Sequence, residues 1–312
     1  MSNIEYTIGN VIRNLREEQD ITLSKLCNGI CSISTMNRIE TGERDMDMML
    51  AIRIFQRLGY NPNKFELYDE NEDFQQYDQR IALERNLESN DYEALAEGLY
   101  RYQTQWEKWI SVNPLQQQFI KKIQGTLEIS NENIKEGIDL LEDAILISIP
   151  DYKENWFKKV IVGEEELELI NYLADANESL GQKEKAFKER MEIINYIEYK
   201  QIRKEQITKL YSGVVCKAAP VLLEKDRVRT CLEICEDALE TLASRMRLYH
   251  LADILYWKGK TLECLHLRGT LTKQEVIDTL QKAYYMYVMF GNETMAGRVK
   301  EHLRRMYRWE CI

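Results

Sequence analysis

Apolar and polar positions alternate with a helical period through the first sixty residues. Over residues 7–18 the apolar side chains share one helical face, and they are Ile8, Val11, Ile12 and Leu15. Thr22 and Ser32 stand at the expected N-caps of a second and a third helix, while Gly42 and Gly59 end the third and fourth. Short helices joined by turns of a few residues are typical of a helix-turn-helix domain.

The rest of the chain repeats one helical pattern. Small or apolar residues recur at i, i+4 and i+7, and successive copies begin 42, 49, 45 and 45 residues apart. Such regular spacing indicates a solenoid of helix pairs, each of which needs its neighbours to bury its apolar face. The copies are Leu95/Leu99/Tyr102, Gly137/Leu141/Ala144, Ala186/Arg190/Ile193, Cys231/Cys235/Ala238 and Val276/Leu280/Ala283.

These patterns predict an all-α chain with four segments. Residues 1–66 form the helix-turn-helix domain and 67–75 a linker or helix start, 76–291 hold five helix-pair repeats, and 292–312 form a capping helix. The composition agrees, because 14 glycines and 4 prolines in 312 residues are too few for the many turns of a sheet-rich fold.

Composition also bears on location and redox state. The polar first residues do not resemble a secretory signal, and no stretch approaches the ~20 apolar residues of a membrane span. The seven cysteines are odd in number and scattered, as expected for reduced thiols in the cytoplasm. Two i,i+4 pairs, Cys27/Cys31 and Cys231/Cys235, are interpreted as small buried residues rather than metal ligands.

The formal net charge of -10 does not by itself exclude a nucleic-acid partner. Residues 1–66 contain eight Lys and Arg against nine Asp and Glu, so most of the negative charge lies in the repeats. Binding to DNA depends on where the positive charge sits. The basic residues of the first segment are mostly arginines, namely Arg13, Arg16, Arg38, Arg44, Arg53 and Arg57.

The stretch ITLSKLCNGICSISTMNRIETGER resembles the XRE/Cro type of helix-turn-helix. The positions that match in register are Ser32, Ser34, Thr35, Met36, Arg38, Ile39, Glu40 and Gly42. One position departs from the family pattern, because Leu23 replaces the Gln that usually begins the second helix and touches a phosphate. The resemblance implies a DNA-binding fold with one backbone contact fewer.

The third helix supplies the candidate base contacts. Met36 and Ile39 must face the core, which turns Ile33, Ser34 and Asn37 outward. An amide can pair bidentately with adenine, a hydroxyl can bond to several bases, and an apolar side chain can lie against a thymine methyl.

Four further residues are candidate phosphate contacts, namely Ser32, Thr35, Arg44 and Arg13. Arg44 follows the turn at Gly42, where it would lie near the DNA backbone, and Arg13 is the weaker of the two arginines. The XRE resemblance also implies a structural brace between Arg16 on the first helix and Glu40 on the third.

Two stretches, IKEGIDLLEDAI and LADANESLGQKEKAF, resemble the second and first halves of tetratricopeptide (TPR) repeats. Units of about 45 residues leave armadillo or HEAT-like stacking as an alternative. In TPR arrays, which are right-handed, the first helix of each pair lines the concave surface. Residues expected there are Phe119, Lys122, Thr126, Ile129, Glu168, Asn171, Asp175, Glu178, Asp253, Tyr256, Lys260 and Glu263.

This mixed lining suits an extended peptide. Asn171 could hold a peptide backbone amide, and Lys122 or Lys260 could meet the terminal carboxylate. Solvated charges on a helical face are the alternative interpretation of the same residues.

The order of the two domains resembles the Rgg/PlcR (RNPP) group of peptide-pheromone-responsive regulators. The resemblance implies a cytoplasmic homodimer that binds a double-stranded DNA operator and a short signalling peptide. Two other hypotheses stay open: an interaction protein whose repeats bind another protein, and a constitutive, peptide-independent regulator.

No enzyme motif is found. The chain has no phosphate loop, no G-x-G-x-x-G and no nucleophile elbow, and its three histidines lie outside any ligand or nucleophile pattern. We therefore expect no catalysis, no cofactor, no metal and no membrane partner.

Overall fold

The computed structural model describes residues 8–60, 71–152, 156, 160–199, 207–269 and 272–309. Every regular element in these ranges is a helix, so the all-α prediction is confirmed. The chain forms two compact units, Met1–Glu189 and Arg190–Ile312, whose boundary falls inside one helix. None of the described helices has the length and apolar character needed to cross a membrane.

The first unit begins with four short helices: α1 Ile8–Glu18, α2 Leu23–Cys27, α3 Ile33–Glu40 and α4 Met48–Arg57. Thr22, Ser32 and Asp47 cap α2, α3 and α4 by accepting a hydrogen bond from the backbone N–H three residues on. The apolar faces meet in one core that contains the fully buried side chains of Ile12, Leu26, Met36 and Ile54.

Longer helices complete the first unit. They are α5 Asn71–Glu88, α6 Tyr92–Gln105, α7 Glu107–Val112, α8 Pro114–Ser130, α9 Ile134–Ser148, α10 Glu164–Ser179 and α11 Lys183–Tyr199, the last of which contains the unit boundary. Helices α8 and α9 cross where two glycines meet. A Cβ on Gly137 would lie 2.7 Å from the carbonyl oxygen of Gly125, so only glycine permits this approach.

The second unit continues the pattern with α12 Thr208–Glu224, α13 Val228–Ser244, α14 Leu251–Leu267, α15 Lys273–Met289 and α16 Glu293–Tyr307. Pro220 lies inside α12, which continues past it although the proline lacks a backbone N–H donor. Packing of α14, α15 and α16 buries Val276, Leu280 and Val299 completely.

Among the described helices, α5/α6, α8/α9, α10/α11, α12/α13 and α14/α15 form five pairs, and α16 follows them. Each copy of the repeating motif lies on the second helix of a pair, and Leu95, Ala186, Cys231 and Val276 are fully buried there. Residues 67–70 of the expected linker and 310–312 of the expected capping helix lie outside the described ranges.

Candidate DNA interface and candidate ligand surface

The third helix presents a polar face to solvent. Ile33 is 52% exposed, and Ser34 and Asn37 are exposed beside it, whereas Met36 and Ile39 point into the core. This is the orientation that the sequence pattern predicts. Three side chains that differ in bonding character therefore stand together on the face that a major groove could receive.

Two of the candidate phosphate contacts organise the start of α3. The Ser32 hydroxyl oxygen accepts a hydrogen bond from the Thr35 N–H at 3.0 Å, and the two hydroxyl oxygens lie 2.8 Å apart. A capped helix start directs its remaining N–H groups outward, where the helix dipole favours an anion. Ser32 thus stabilises α3, and both hydroxyls lie where a DNA phosphate could approach.

The exposed arginines differ in their surroundings. Arg44 is exposed after the turn at Gly42, whereas Arg13 forms an ion pair with Glu17 at 3.0 Å. Arg38, next to Asn37 on α3, is 53% exposed and lies 3.8 Å from Glu43. Arg38 is one of the basic residues of the first segment and a matching motif position, and its exposure makes it a further candidate for contact with DNA.

A buried ion pair holds α3 against α1. The guanidinium of Arg16 donates to both carboxylate oxygens of Glu40, at 2.7 and 2.9 Å, and also to the carbonyl oxygen of Ile21 at 3.0 Å. The two side chains are 12% and 4% exposed, so water screens the pair weakly. Helix α3 is therefore positioned by a fixed geometry as well as by apolar packing.

The arginines of α4 point inward, which the sequence pattern did not reveal. Arg53 and Arg57 are each 4% exposed, and both reach the buried carboxylate of Glu166 at the start of α10, at 3.1 Å each. Burial raises the pKa of Glu166, but the two guanidinium groups outweigh burial and hold that pKa below its ordinary value. Neither arginine adds to the positive surface of the helix-turn-helix domain.

The buried ion network of Arg53, Arg57 and Glu166 joins the helix-turn-helix domain to the repeats of the first unit. Arg57 donates to the carbonyl oxygens of Leu26 in α2 and of Asn28 in the turn that follows, at 2.8 and 2.7 Å. Arg53 donates at 2.7 Å to Gln118 of α8, whose amide nitrogen in turn donates to Ser148 of α9 at 2.7 Å. Helix α2 and the turn before α3 are therefore linked by buried polar contacts to three helices of the repeats.

A second carboxylate, that of Glu165, extends the ion network to Lys122, which was expected on the concave surface. Glu165 Oε2 lies 3.9 Å from Arg53 and 3.4 Å from the ammonium nitrogen of Lys122, which also lies 3.9 Å from Glu84. Burial raises the pKa of Glu165, but Lys122 and Arg53 lower it to about 2. Burial also disfavours the charged form of Lys122, yet the surrounding carboxylates raise its pKa above the ordinary value.

Two of the residues predicted to line the concave surface are more buried than expected. Phe119 is 4% exposed and packs edge-on against Tyr102 with ring centroids 6.1 Å apart, because α8 lies at the centre of the first core. Lys122 is 4% exposed, and its ammonium group lies 5.4 Å from the Phe119 ring centroid. Thr126 donates its hydroxyl to the backbone oxygen of Lys122 at 3.0 Å.

Helix α10 supplies the other expected contacts in the first unit. The Asn171 side-chain oxygen is shielded from solvent, and among the described residues no donor reaches it. Such an oxygen can accept a hydrogen bond from an incoming N–H group without first losing a protein partner. Asp175 is partly buried and Glu178 is exposed one and two turns further along α10.

The corresponding residues of the second unit are already engaged. Lys260 pairs with Glu263, whose other oxygen accepts hydrogen bonds from Tyr307 and from the His302 ring, each at 2.8 Å. Tyr256 packs edge-on against its neighbour Trp257, with ring centroids 5.0 Å apart. A ligand carboxylate at Lys260 would have to compete with Glu263.

A helix-turn-helix domain followed by TPR-like helix pairs is the fold of this chain, and comparison with solved structures finds proteins of the same fold. The apo form of PlcR from Bacillus thuringiensis matches with a TM-score of 0.57 and 15% identity, over 94% of this chain and 97% of PlcR. PlcR in complex with the peptide PapR7 and DNA matches with a TM-score of 0.54 and 17% identity, over 94% and 98%. At these identities the likeness establishes the fold.

The apo form of the competence regulator ComR from Streptococcus vestibularis aligns with a TM-score of 0.48 and 13% identity, over 96% of this chain and 97% of ComR. No protein-family model and no curated protein matches the sequence. The resemblance to the RNPP group is confirmed at the level of fold, and TPR-like stacking is favoured over armadillo or HEAT-like stacking.

Proposed function

We propose that this protein is a DNA-binding transcription regulator that acts in the cytoplasm as a homodimer and is gated by a short signalling peptide. The observation that carries the DNA-binding part is the exposed face of α3, formed by Ile33, Ser34 and Asn37 and positioned by the Arg16–Glu40 ion pair. A face that combines an amide, a hydroxyl and an apolar side chain has the groups needed to distinguish base pairs.

Two substitutions test the DNA interface. Asn37→Ala should relax base preference at one position of the operator, and Asn14→Ala, which removes an exposed amide from α1, is its matched control. Arg44→Ala should weaken binding to all sequences alike and reduce the slope of log affinity against log salt by about one unit. The measurement is a gel shift with DNA from upstream of the gene, at several salt concentrations. Unchanged base preference and salt slope would refute the assignment.

Peptide gating is supported by Asn171 of the first unit, which offers a shielded oxygen with unused hydrogen-bonding capacity. Lys122 is buried beside Glu84 and Glu165, so a peptide carboxylate could reach it only by replacing one of these partners. The similarly folded PlcR was solved with a peptide and DNA together. A peptide that pairs its terminal carboxylate with Lys122 would compete with Glu165, and Glu165 also lies against Arg53 of the helix-turn-helix domain. Peptide binding would thereby alter the contacts that hold the recognition helix.

The gating test compares DNA affinity with and without a synthetic peptide encoded by a short reading frame next to the gene. Asn171→Ala should weaken peptide binding while DNA binding without peptide stays unchanged, because Asn171 lies outside the ion network. Glu165→Gln should change DNA affinity in the absence of peptide, since it removes one negative charge that faces both Lys122 and Arg53. If peptide alters neither DNA affinity nor complex size, gating is refuted and the constitutive regulator is favoured.

Dimerisation is proposed because a single helix-turn-helix domain offers only a small surface to DNA. One small helix-turn-helix domain makes few base contacts, and two half-sites about one DNA turn apart require two such domains. Sedimentation analysis of the protein alone and with a two-half-site operator tests this part. A monomer that binds one half-site with full affinity would contradict it.

A further inference from the structure

Three side chains with different metal-binding chemistry meet in the second unit. The thiol of Cys216 on α12, a ring nitrogen of His250 and a carboxylate oxygen of Asp253 all lie within 4.8 Å of one another. His250 and Asp253 are separated by one helical turn, but Cys216 is more than thirty residues away. No sequence spacing predicted this group for His250, because the fold brings the three residues together.

Local backbone geometry places His250 against α12. His250 stands at the N-cap of α14 with a φ of 54°, a left-handed conformation that His adopts more readily than most residues. Gly213, one turn before Cys216, faces the ring, and a Cβ at that position would lie 3.3 Å from His250 Nε2. The glycine thus leaves the imidazole room to approach the thiol.

A neighbouring helix orients the carboxylate. The hydroxyl of Tyr287 on α15 donates a hydrogen bond to Asp253 Oδ1 at 2.7 Å. Carboxylates that bind metals are commonly held in this way by a second hydrogen-bonded group, which reduces the freedom lost when the ion binds. Three helices of the second unit therefore contribute to one arrangement that is open to solvent at His250.

We propose that Cys216, His250 and Asp253 bind a divalent transition-metal ion of the zinc class. A thiolate, a neutral imidazole and a carboxylate together supply two negative charges, which neutralise a divalent ion. The thiolate favours zinc over magnesium or calcium, which prefer oxygen ligands only. Metal–ligand distances of about 2.0–2.3 Å require the three groups to close by roughly an ångström. Three protein ligands leave a fourth position for water or for a group from a partner.

Cobalt(II) is the probe, because it occupies zinc sites and reports a bound thiolate by a charge-transfer band in the near ultraviolet. The reduced, chelator-treated full chain is titrated with Co²⁺, and bound Co²⁺ is then displaced with Zn²⁺. We expect one equivalent to bind with a thiolate band and tetrahedral visible bands. Zinc should also raise the thermal unfolding midpoint, because the ion would connect α12 to the start of α14.

The variants separate this site from adventitious binding. Cys216→Ser should abolish the thiolate band, whereas Cys264→Ser, which removes a partly exposed thiol elsewhere on α14, should leave it unchanged. Asp253→Asn and His250→Asn should lower affinity about 10-fold or more. Asn tolerates the left-handed backbone at 250 and can still accept from Tyr287 at 253, so both variants should fold, as circular dichroism can verify. A thiolate band that persists in Cys216→Ser, or binding without one-to-one stoichiometry, would overturn the proposal.

Discussion

Replacing Glu166 by Gln is the most direct test of the contact between the helix-turn-helix domain and the repeats. The wild-type carboxylate faces Arg57 at one oxygen, and at the other it faces Arg53 and the N–H of Gly163, which donates at 2.9 Å. An amide of the same shape has only one acceptor oxygen. Its NH₂ group must therefore point at a donor on one side, whichever way the side chain turns.

The size of the effect follows from the burial of the three charges. Glu166 is 1% exposed and both arginines are 4% exposed, so removing the negative charge leaves two guanidinium groups poorly compensated in a site with little water. Breaking a buried ion pair by removing one partner costs about 3–5 kcal/mol. Glu165 remains 3.9 Å from Arg53 and offsets part of the loss, so we expect about 3 kcal/mol.

The assay is urea unfolding followed by tryptophan fluorescence, which reports on the first unit through the buried Trp106 and Trp156. The matched control is Glu93→Gln, because it removes the same charge from the first turn of α6 at an exposed position. That control should cost no more than about 1 kcal/mol through the helix dipole. With a slope of about 2 kcal/mol per molar, Glu166→Gln should lower the midpoint by roughly 1.5 M. Equal midpoints for the two variants would refute the account of the network.

Further expectations concern helix packing, capping and pH. Gly137→Ala should cost about 1–3 kcal/mol of unfolding free energy because its Cβ would strike the Gly125 carbonyl, whereas Gly297→Ala, with nothing within 4 Å, should gain up to about 1 kcal/mol. Ser32→Ala should cost about 1 kcal/mol through loss of the α3 cap, measurable by thermal unfolding. Because the pKa of Glu165 is about 2 when folded and ordinarily 4.5, its stabilisation is complete above pH 4.5 and lost as pH falls toward 2. In Glu165→Gln the free energy of unfolding should vary less with pH over that range. A variation with pH equal to that of the wild type would contradict the assignment.

Much of the fold was predictable because helices are specified locally. The period of apolar residues identified the helix pairs, and the copies of the repeating motif lie on α6, α9, α11, α13 and α15 as the spacing indicated. Caps at Thr22 and Ser32 were predictable for the same reason, since a cap depends on a residue and the N–H three positions later. The outward face of α3 followed from the inward direction of Met36 and Ile39.

Other features depended on contacts between distant segments. The arginines of α4 were grouped with the positive charge of the first domain, yet Arg53 and Arg57 face inward because a carboxylate more than a hundred residues later lies beside them. Their one sequence signal is the four-residue spacing in a helix whose other residues, apart from Gln56, are apolar. Lys122 was expected to be open to a ligand, but it lies buried between Glu84 and Glu165.

Periodicity, capping and turn residues act over a few positions, so the helices, their pairing and the exposed face of α3 follow from the sequence. Which charges are buried together, and that Cys216 lies near His250 and Asp253, depends on how distant helices pack. The difference is one of range. A charge or a ligand atom acts through its distance to partners on other helices, and that distance is set by how the helices pack rather than by their order along the chain.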